Sequence, residues 1–123
     1  TLIMAQRLAR KTCSECRAID ENITPKLLNS IGFSPEQSSR AKIHKGTGCQ
    51  ECSGSGYKGR MGIYEILEID NELKAGILSN LQQTELNAIA KKNGFRTMQD
   101  MGQDLLLSGD LSFAEYERVL QSN

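Results

Sequence analysis

The first residues of the chain place apolar side chains at a spacing typical of one side of a helix. The apolar positions are Leu2, Ile3, Ala5, Leu8 and Ala9. Because positions three and four apart lie on one side of a helix, the pattern predicts that residues 1–12 are the last turns of a helix. Such a helix would continue from a preceding segment, so we expect the chain to be part of a longer protein.

A second helix is predicted over residues 25–31. Thr24 supplies a hydroxyl N-cap, Pro25 suits the first helical position, and Gly32 suits the end of the helix. Residues 33–40 are polar and include a proline, which indicates a loop.

Strand and turn signals dominate the middle of the chain. Residues 41–45 suit a short strand. Six of the eleven glycines lie in residues 46–62, so this stretch should consist mainly of tight turns. β-branched and aromatic residues then dominate residues 63–69, which carry the strongest strand signal in the chain.

Apolar residues recur at helical spacing in four stretches after residue 69. The four predicted helices begin near Asp70, Thr84, Met98 and Ser112. Gly94 and Gly109 mark the ends of the second and third helices, and Glu115 completes a capping box with the serine that begins the fourth. We expect the four helices to pack as a compact bundle, with Met98 and Met101 as core residues.

These elements indicate an α+β protein that is mainly α. We divide it into residues 1–12, the end of a helix from a preceding core, residues 13–69, a small zinc-binding module with short strands, and residues 70–123, a helical subdomain. With 123 residues the chain is too short for a (β/α)₈ barrel or for a P-loop ATPase core with an accessory domain. Its apolar content is 38%, so we expect a source of stability besides apolar packing.

Charge is balanced overall but uneven along the chain. Residues 1–60 hold ten basic and five acidic residues, and residues 61–123 hold five and ten. Two explanations stay open: oppositely charged faces that dock on each other or on neighbours, and a surface for a partner. The net charge of zero argues against strong nonspecific binding to nucleic acid or anionic lipid. No apolar run approaches the roughly 18 residues that span a bilayer.

The four cysteines carry the strongest chemical signal. They form two Cys-x-x-Cys pairs, Cys13 with Cys16 and Cys49 with Cys52, separated by 32 residues. Two residues between cysteines let both sulfurs face one ion from a single turn, and two such turns supply the four thiolates of a structural zinc site. Because four thiolates leave no open position on the metal, we expect Zn²⁺ to be structural and not catalytic.

Three other uses of the cysteines stay open at this point. A disulfide framework needs an oxidising compartment, and a thioredoxin-like redox pair leaves the second cysteine pair unexplained. An iron–sulfur cluster also takes four cysteines, although the spacing is more typical of zinc.

Basic residues flank both cysteine pairs. They are Arg10, Lys11, Arg17, Lys58 and Arg60. Four thiolates around a divalent ion carry a charge of about −2, and these cations can offset it and donate hydrogen bonds to sulfur. His44, which precedes the second pair, is better explained as a strand or surface residue than as a fifth ligand.

The chain has no recognisable phosphate-binding or catalytic constellation. Residues 54–59 spell G-x-G-x-x-G, but they follow a cysteine pair and precede a strand, whereas a dinucleotide site needs a strand before and a helix after. A Walker A motif is absent from the sequence. Glu115 and Glu117 are expected to be capping or solvated carboxylates. We therefore predict that this chain alone is not an enzyme.

Two longer runs make the chain resemble a known family. Residues 5–16 read AQRLARKTCSEC, and residues 48–65 read GCQECSGSGYKGRMGIYE. Both closely resemble the C-terminal part of the ATPases of type II secretion and type IV pilus assembly. The similarity continues through residues 93–98 to the final helix and covers nearly the whole chain.

The resemblance implies a parent protein that is a hexameric, AAA+-like motor in the cytoplasm. Such a motor hydrolyses ATP with Mg²⁺ at the bacterial inner membrane and adds pilin or pseudopilin subunits through an inner-membrane platform protein. In this family the nucleotide-gripping segments lie upstream of the Gln-Arg-Leu run, so they are outside this chain. What remains would be a zinc module and a helical subdomain with a structural or docking role.

The resemblance also assigns ligands and partners. The four cysteines carry over as zinc ligands, no catalytic residue carries over, and a nucleotide contact by Arg7 or Arg10 stays open. The implied partners are neighbouring subunits of the hexamer and the platform protein, with no nucleic acid and no direct insertion into the membrane. The protein would be peripheral to the inner membrane through these partners. The resemblance does not separate secretion from pilus assembly.

Two alternatives come from other classes of protein. The pattern Cys49-x-x-Cys52-x-Gly54-x-Gly56 matches one repeat of the cysteine-rich region of J-domain chaperones, but residues 13–18 lack the glycines. A nucleic-acid-binding zinc ribbon would show interleaved aromatic residues and a basic excess across the domain, and this chain has neither.

Overall fold

A long antiparallel ribbon of two strands organises the fold. The computed structural model describes residues 2–68, 71–92 and 95–121. In chain order the elements are β1 (Leu2–Thr12), β2 (Arg17–Ile19), α1 (Pro25–Ser30), α2 (Pro35–Arg40), β3 (His44–Gly46), β4 (Tyr57–Glu68), α3 (Asn71–Leu78), α4 (Gln83–Lys92), α5 (Met98–Ser108) and α6 (Phe113–Tyr116), which continues as a π-helical turn (Glu117–Gln121). The ribbon consists of β1 and β4, with Thr12 opposite Tyr57 at its closed end.

β1 is a strand, so the prediction of a helix over residues 1–12 is wrong. Ala5 and Ala9 face the core, while Met4 and Leu8 on the opposite face are exposed, which is the alternation of a strand. Over so few residues the apolar positions fit the period of a strand as well as that of a helix. The partner strand that decides between them comes 44 residues later, beyond the reach of any local signal.

Residues 13–56, which we call the insertion, separate the two strands of the ribbon. Within the insertion β2 and β3 pair antiparallel, with Arg17 opposite Gly46. β3 overlaps the short strand predicted over residues 41–45. β2 was not predicted, because three residues carry too little pattern to identify a strand.

Two short helices lie within the insertion. α1 follows Thr24, whose hydroxyl oxygen accepts the backbone N–H of Leu27 at 3.2 Å, as the predicted cap requires. α2 shows that the prediction of a loop over residues 33–40 is wrong. Pro35 opens this helix, since the first helical residue needs no hydrogen-bonded N–H, and Ser34 caps it through a capping box.

The two helices at the C-terminal end confirm the predicted start and stop signals. α5 follows Thr97, which forms a capping box with Asp100, and it ends at Gly109 in the left-handed conformation with φ of 88°. α6 follows Ser112, whose hydroxyl accepts the backbone N–H of Glu115 at 3.2 Å.

α3 and α4 pack against each other around Gly76. A Cβ at this glycine would lie 3.0 Å from Leu81 and 3.2 Å from Leu86, so the small residue permits the close approach. The predicted start signal at Asp70 and stop signal at Gly94 lie outside the described residues.

One apolar core joins the ribbon, the insertion and the last helices. Its buried members are Ala9 and Ile63 from the ribbon, Leu28, Phe33 and Ile43 from the insertion, and Met98, Leu106, Leu111, Phe113, Tyr116, Val119 and Leu120 from the C-terminal region. Met98 belongs to this core and Met101 packs against it, as predicted. The α+β class is confirmed. The core crosses the predicted boundary at residues 69 and 70, so the division into modules stays a prediction.

Candidate metal centre

The two cysteine pairs lie where the two pairs of strands meet. Cys13 and Cys16 occupy the turn from β1 to β2, which we call the first knuckle. Cys49 and Cys52 lie on the path from β3 to β4, which we call the second knuckle. Because β1 pairs with β4 and β2 pairs with β3, four strand ends converge and bring the knuckles together.

The four sulfurs form a single cluster. All four Sγ atoms lie within 4.8 Å of one another. The Sγ atoms of Cys13 and Cys49 are 3.7 Å apart, those of Cys16 and Cys52 are 3.8 Å apart, and those of Cys49 and Cys52 are 3.7 Å apart. A metal–sulfur bond of about 2.3 Å places tetrahedral sulfurs about 3.8 Å apart. The donor set and its spacing therefore fit a tetrahedral metal ion such as Zn²⁺.

Backbone amides point at two of the sulfurs. The N–H of Gly48 donates to the Cys16 sulfur at 3.3 Å, and the N–H groups of Cys49 and Gly56 donate to the Cys52 sulfur, both at 3.2 Å. Hydrogen bonds of this kind favour the thiolate over the thiol. The amides around Cys52 therefore support its deprotonated sulfur, which is the form that binds a metal.

Crowding of the thiols separates their pKa values. Burial favours the neutral form of Cys52, but hydrogen bonds from the amides of Cys49 and Gly56 and from the thiols of Cys49 and Cys16 together outweigh burial and lower the pKa of Cys52 to about 6. At Cys49 a backbone hydrogen bond at Cys52 favours the thiolate, yet burial and the neighbouring thiols raise the pKa of Cys49 to about 11. Four negative sulfurs this close repel one another, and a divalent cation would remove that repulsion.

The cluster has the character of a closed structural site. Cys13 and Cys52 are buried, and Cys16 and Cys49 are half-buried. If all four sulfurs bound one ion, they would complete a tetrahedral shell and leave no position for water or substrate. An ion bound by all four sulfurs would cross-link two distant turns.

His44 and the G-x-G-x-x-G run, for which the sequence predicted no role at the metal, both lie outside the sulfur cluster. His44 lies in β3, where its Nδ1 is buried without a hydrogen-bond partner and close to the turn at Gly109. Residues 54–59, which spell G-x-G-x-x-G, run from the second knuckle directly into β4. Because a strand and not a helix follows, they do not form a dinucleotide-binding turn.

Three of the five flanking cations, Arg10, Arg17 and Lys58, have acidic partners. Lys58 lies 3.2 Å from Glu51 of the second knuckle, and this hydrogen bond and charge raise the pKa of Lys58, with a smaller contribution from Cys13. Arg17 lies 3.8 Å from Asp110, in the loop after α5. The excess of basic residues around the knuckles is thus partly balanced by acidic residues within the molecule.

Glu115 is a buried carboxylate, and neither its burial nor its ion pairs were predicted from the sequence. It is 1% exposed, and its oxygens accept the backbone N–H of Arg10 at 2.8 Å and the guanidinium groups of Arg10 and Arg118 at 2.7–3.1 Å. The bonds from Arg118 and Arg10 outweigh burial and lower the pKa of Glu115 from 4.5 to about 2. The expectation of a solvated or merely capping carboxylate is therefore wrong for Glu115.

The Glu115 cluster connects the closed end of the ribbon to α6. The Arg10 guanidinium lies 4.1 Å from the centre of the Tyr57 ring, and the Tyr57 hydroxyl is 3.1 Å from the Ser112 hydroxyl. The residue before the first knuckle, Thr12, donates its backbone N–H to the carbonyl of Asp110 at 2.9 Å. The loop that caps α6 is therefore fixed to the strand that enters the metal centre.

Comparison with known proteins places these features in a family. The family described as "Type II/IV secretion system protein" matches residues 1–118. The chain is 34% identical over 113 residues to the type IV pilus assembly ATPase PilB of Thermus thermophilus, covering 92% of the chain and 13% of that protein. It is 36% identical over 118 residues to PilB of Pseudomonas aeruginosa, covering 96% of the chain and 20% of that protein. It is 34% identical over 125 residues to a putative type II secretion system protein E of Escherichia coli, covering 95% and 23%.

The chain spans between about an eighth and a quarter of the length of these relatives. Among the helices of residues 2–68, 71–92 and 95–121, none is long and apolar enough to cross a membrane. The family match runs from β1 through both knuckles and into the π-helical turn, so it includes the whole metal centre and the Glu115 cluster. The chain therefore belongs to the type II/IV secretion system protein family.

Proposed function

We propose that this chain is the zinc-stabilised C-terminal part of a motor ATPase that powers type II secretion or type IV pilus assembly. The observation that carries the proposal is the cluster of four sulfurs at tetrahedral spacing in a chain of this family. Four thiolates so arranged are typical of structural Zn²⁺. The proposed ligands are Cys13, Cys16, Cys49 and Cys52.

ATP hydrolysis in the complete protein belongs to segments outside residues 1–123. The relatives that are pilus assembly ATPases are several times longer than this chain, and the chain has no Walker A motif. ATP and Mg²⁺ are thus proposed for the core of the parent protein, and Zn²⁺ for this part.

The proposed role of the metal is to fix the insertion against the ribbon and α6. A fixed insertion offers a defined surface to neighbouring subunits of a hexamer and to an inner-membrane platform protein, on the cytoplasmic side of the membrane. Balanced net charge supports protein partners over nucleic acid. The role is one of structure and docking, and the chemistry of ATP cleavage takes place elsewhere in the parent.

Metal content tests the zinc site. The chain purified under reducing conditions should hold one zinc per molecule, no iron and no disulfide, as measured by elemental analysis and native mass spectrometry. Cys49→Ser should lose the zinc, whereas Ser14→Ala, an exposed position between the ligands of the first knuckle, should keep it. Bound iron, or two disulfides under reducing conditions, would contradict the proposal.

ATP turnover tests whether hydrolysis belongs to the core of the parent protein and not to this chain. The chain alone should show no hydrolysis above buffer background, and in the full-length protein Cys49→Ser should impair assembly more than ATP cleavage. ATP turnover that co-purifies with the chain and disappears in the Cys49→Ser variant would contradict the proposal that hydrolysis lies outside this chain.

A further inference from the structure

The two pairs of strands touch at two glycines near the metal centre. A Cβ at Gly46, the last residue of β3, would lie 2.0 Å from the carbonyl oxygen of Gly56 and 2.5 Å from its Cα. A Cβ at Gly56, the residue before β4, would lie 2.6 Å from the carbonyl oxygen of Gly46. Because the neighbouring atoms are backbone, neither position accepts a side chain unless the two strands move apart.

Gly56 connects both knuckles through its own peptide groups. Its N–H donates to the Cys52 sulfur at 3.2 Å, and its carbonyl accepts the backbone N–H of Cys13 at 2.9 Å. Its φ of 81° lies in the left-handed region, which is open to glycine at little cost. A shift of this residue therefore moves a ligand of each knuckle.

Gly46 has the matching position on the other side. It pairs with Arg17, the residue after Cys16. The next residue, Thr47, donates its N–H to the Cys16 carbonyl at 3.2 Å, and the N–H of Gly48 donates to the Cys16 sulfur at 3.3 Å. The position of β3 thus determines where these amides meet the first knuckle.

We propose that the contact between Gly46 and Gly56 is the positioning element of the metal centre. It sets the separation of the two knuckles and so holds four sulfurs at the spacing that a tetrahedral ion requires. The inference rests on the proposed role of the four cysteines as ligands of structural Zn²⁺. Gly46 and Gly56 are positioning residues: they act on the metal through the backbone amides and carbonyls that hold the knuckles.

The decisive substitution is Gly46→Ala, with Gly54→Asn as its control. Gly46 lies outside the left-handed region, so alanine there introduces a clash without left-handed strain. Gly54, in the turn after the second knuckle, has φ of 80° and no atom within 4 Å of its Cβ position. Asparagine tolerates that conformation, so the control adds a side chain near the metal without a clash.

Affinity and spectrum are the two measurements. Zn²⁺ affinity is measured by competition with a chromophoric chelator, and Co²⁺ is added as a spectroscopic probe of tetrahedral sulfur coordination. Gly46→Ala should bind Zn²⁺ on the order of 10–100-fold more weakly, and its Co²⁺ spectrum should depart from that of the unchanged chain. Gly54→Asn should keep both the affinity and the spectrum.

A double variant tests whether the two glycines act as one contact. The double variant Gly46→Ala/Gly56→Ala should bind Zn²⁺ about as tightly as whichever single variant binds it less tightly, because both substitutions break the same contact. Additive losses, or an unchanged affinity and Co²⁺ spectrum for Gly46→Ala, would overturn the inference.

Two further outcomes separate this inference from the proposal on which it rests. Loss of the α5 and α6 amide signals in Gly46→Ala at saturating Zn²⁺ would overturn the inference, because the contact would then determine the whole fold. Failure of the unchanged chain to bind Zn²⁺ or Co²⁺ would overturn the zinc proposal itself.

Discussion

The insertion and the C-terminal helices contribute to the same core by different means. The insertion buries three large apolar side chains within 44 residues, and its turns contain several glycines and four clustered sulfurs. The stretch from α5 to the π-helical turn buries seven apolar side chains within 24 residues. The comparison teaches that a segment with little apolar burial can acquire a fixed shape from ligands to one ion.

The two regions are nevertheless joined by specific contacts. The side-chain amide of Gln103 in α5 donates to the carbonyl of Ile31 in the insertion at 2.8 Å. Arg17 of the insertion approaches Asp110, and Thr12 donates to the same loop. Unfolding of one region should therefore change the stability of the other, and amide protection in each region measures the extent.

Removal of the metal should have the largest effect on this comparison. Chelation or Cys49→Ser should abolish amide protection in residues 13–56, because burial there cannot offset roughly 1–2 kcal/mol of backbone entropy per residue. Structural zinc contributes on the order of 10–16 kcal/mol to folding in small modules. Helical signal from α3, α4 and α5 should largely persist. Hydrogen exchange on the metal-free and zinc-loaded chain measures both regions in one experiment.

The same experiment can contradict the division into two regions. The zinc-loaded Ser14→Ala variant serves as the control, since it changes the first knuckle without removing a ligand. Simultaneous loss of protection in the insertion and in α5 would show one cooperative unit, and the boundary between residues 13–69 and 70–123 would be wrong.

Neutralising Glu115 should have the next largest effect, and it acts on the opposite region. Glu115→Gln removes a buried charge from Arg10 and Arg118 and should lower the free energy of unfolding by about 3 kcal/mol. Urea denaturation of the zinc-loaded chain measures this change. Glu117→Gln, at an exposed position two residues away, should have an effect within about 0.5 kcal/mol. Equal effects of the two substitutions would contradict a special role for Glu115.

Acidification should weaken the Glu115 cluster in a defined window. The pKa of Glu115 is about 2 in the folded protein and 4.5 as its ordinary value. Its contribution is therefore fully present above pH 4.5 and is lost as the pH falls towards 2. The difference in unfolding free energy between the unchanged chain and Glu115→Gln should shrink across this window. Comparing the two chains at each pH cancels the release of metal by acid, and a constant difference would refute the assignment.

Breaking the exposed ion pair between the regions should have the smallest effect. Arg17 and Asp110 are each more than one-third exposed and lie 3.8 Å apart, so Arg17→Ala should cost about 0.5 kcal/mol or less. Thermal denaturation measures it, with Lys26→Ala as an exposed control. A loss above about 2 kcal/mol would mean that this pair, and not the shared core, couples the insertion to α5.

Local signals in the sequence identified much of the fold and the four cysteines that lie together. Caps depend on one side chain and a backbone group within a few residues, so Thr24, Thr97 and Gly109 were recognisable. The cysteine pairs were recognisable because two sulfurs share one turn. β1 was missed because its hydrogen bonds are made with residues that follow the insertion. α2 was missed because Pro35 was interpreted as a loop residue and not as the first residue of a helix.

Glu115 shows the other limit of reasoning from sequence. Its spacing from Ser112 fits a capping box, and the serine does cap the helix. The carboxylate itself turns to Arg10, which is 105 residues away along the chain. Likewise the glycine-rich stretch indicated turns, but the contact between Gly46 and Gly56 depends on how β3 and β4 approach in three dimensions.

The long insertion within the β1–β4 ribbon has a consequence for the order of folding. Thr12 pairs with Tyr57 across 44 intervening residues. Such nonlocal pairing is slow because the entropy of loop closure is lost before stabilising contacts form. Capture of one ion by both knuckles would bring residues 13 and 52 together and leave only a few residues between the strand ends. Zn²⁺ would then act as a nucleation site, and refolding of the ribbon should accelerate with metal concentration until the chain is saturated.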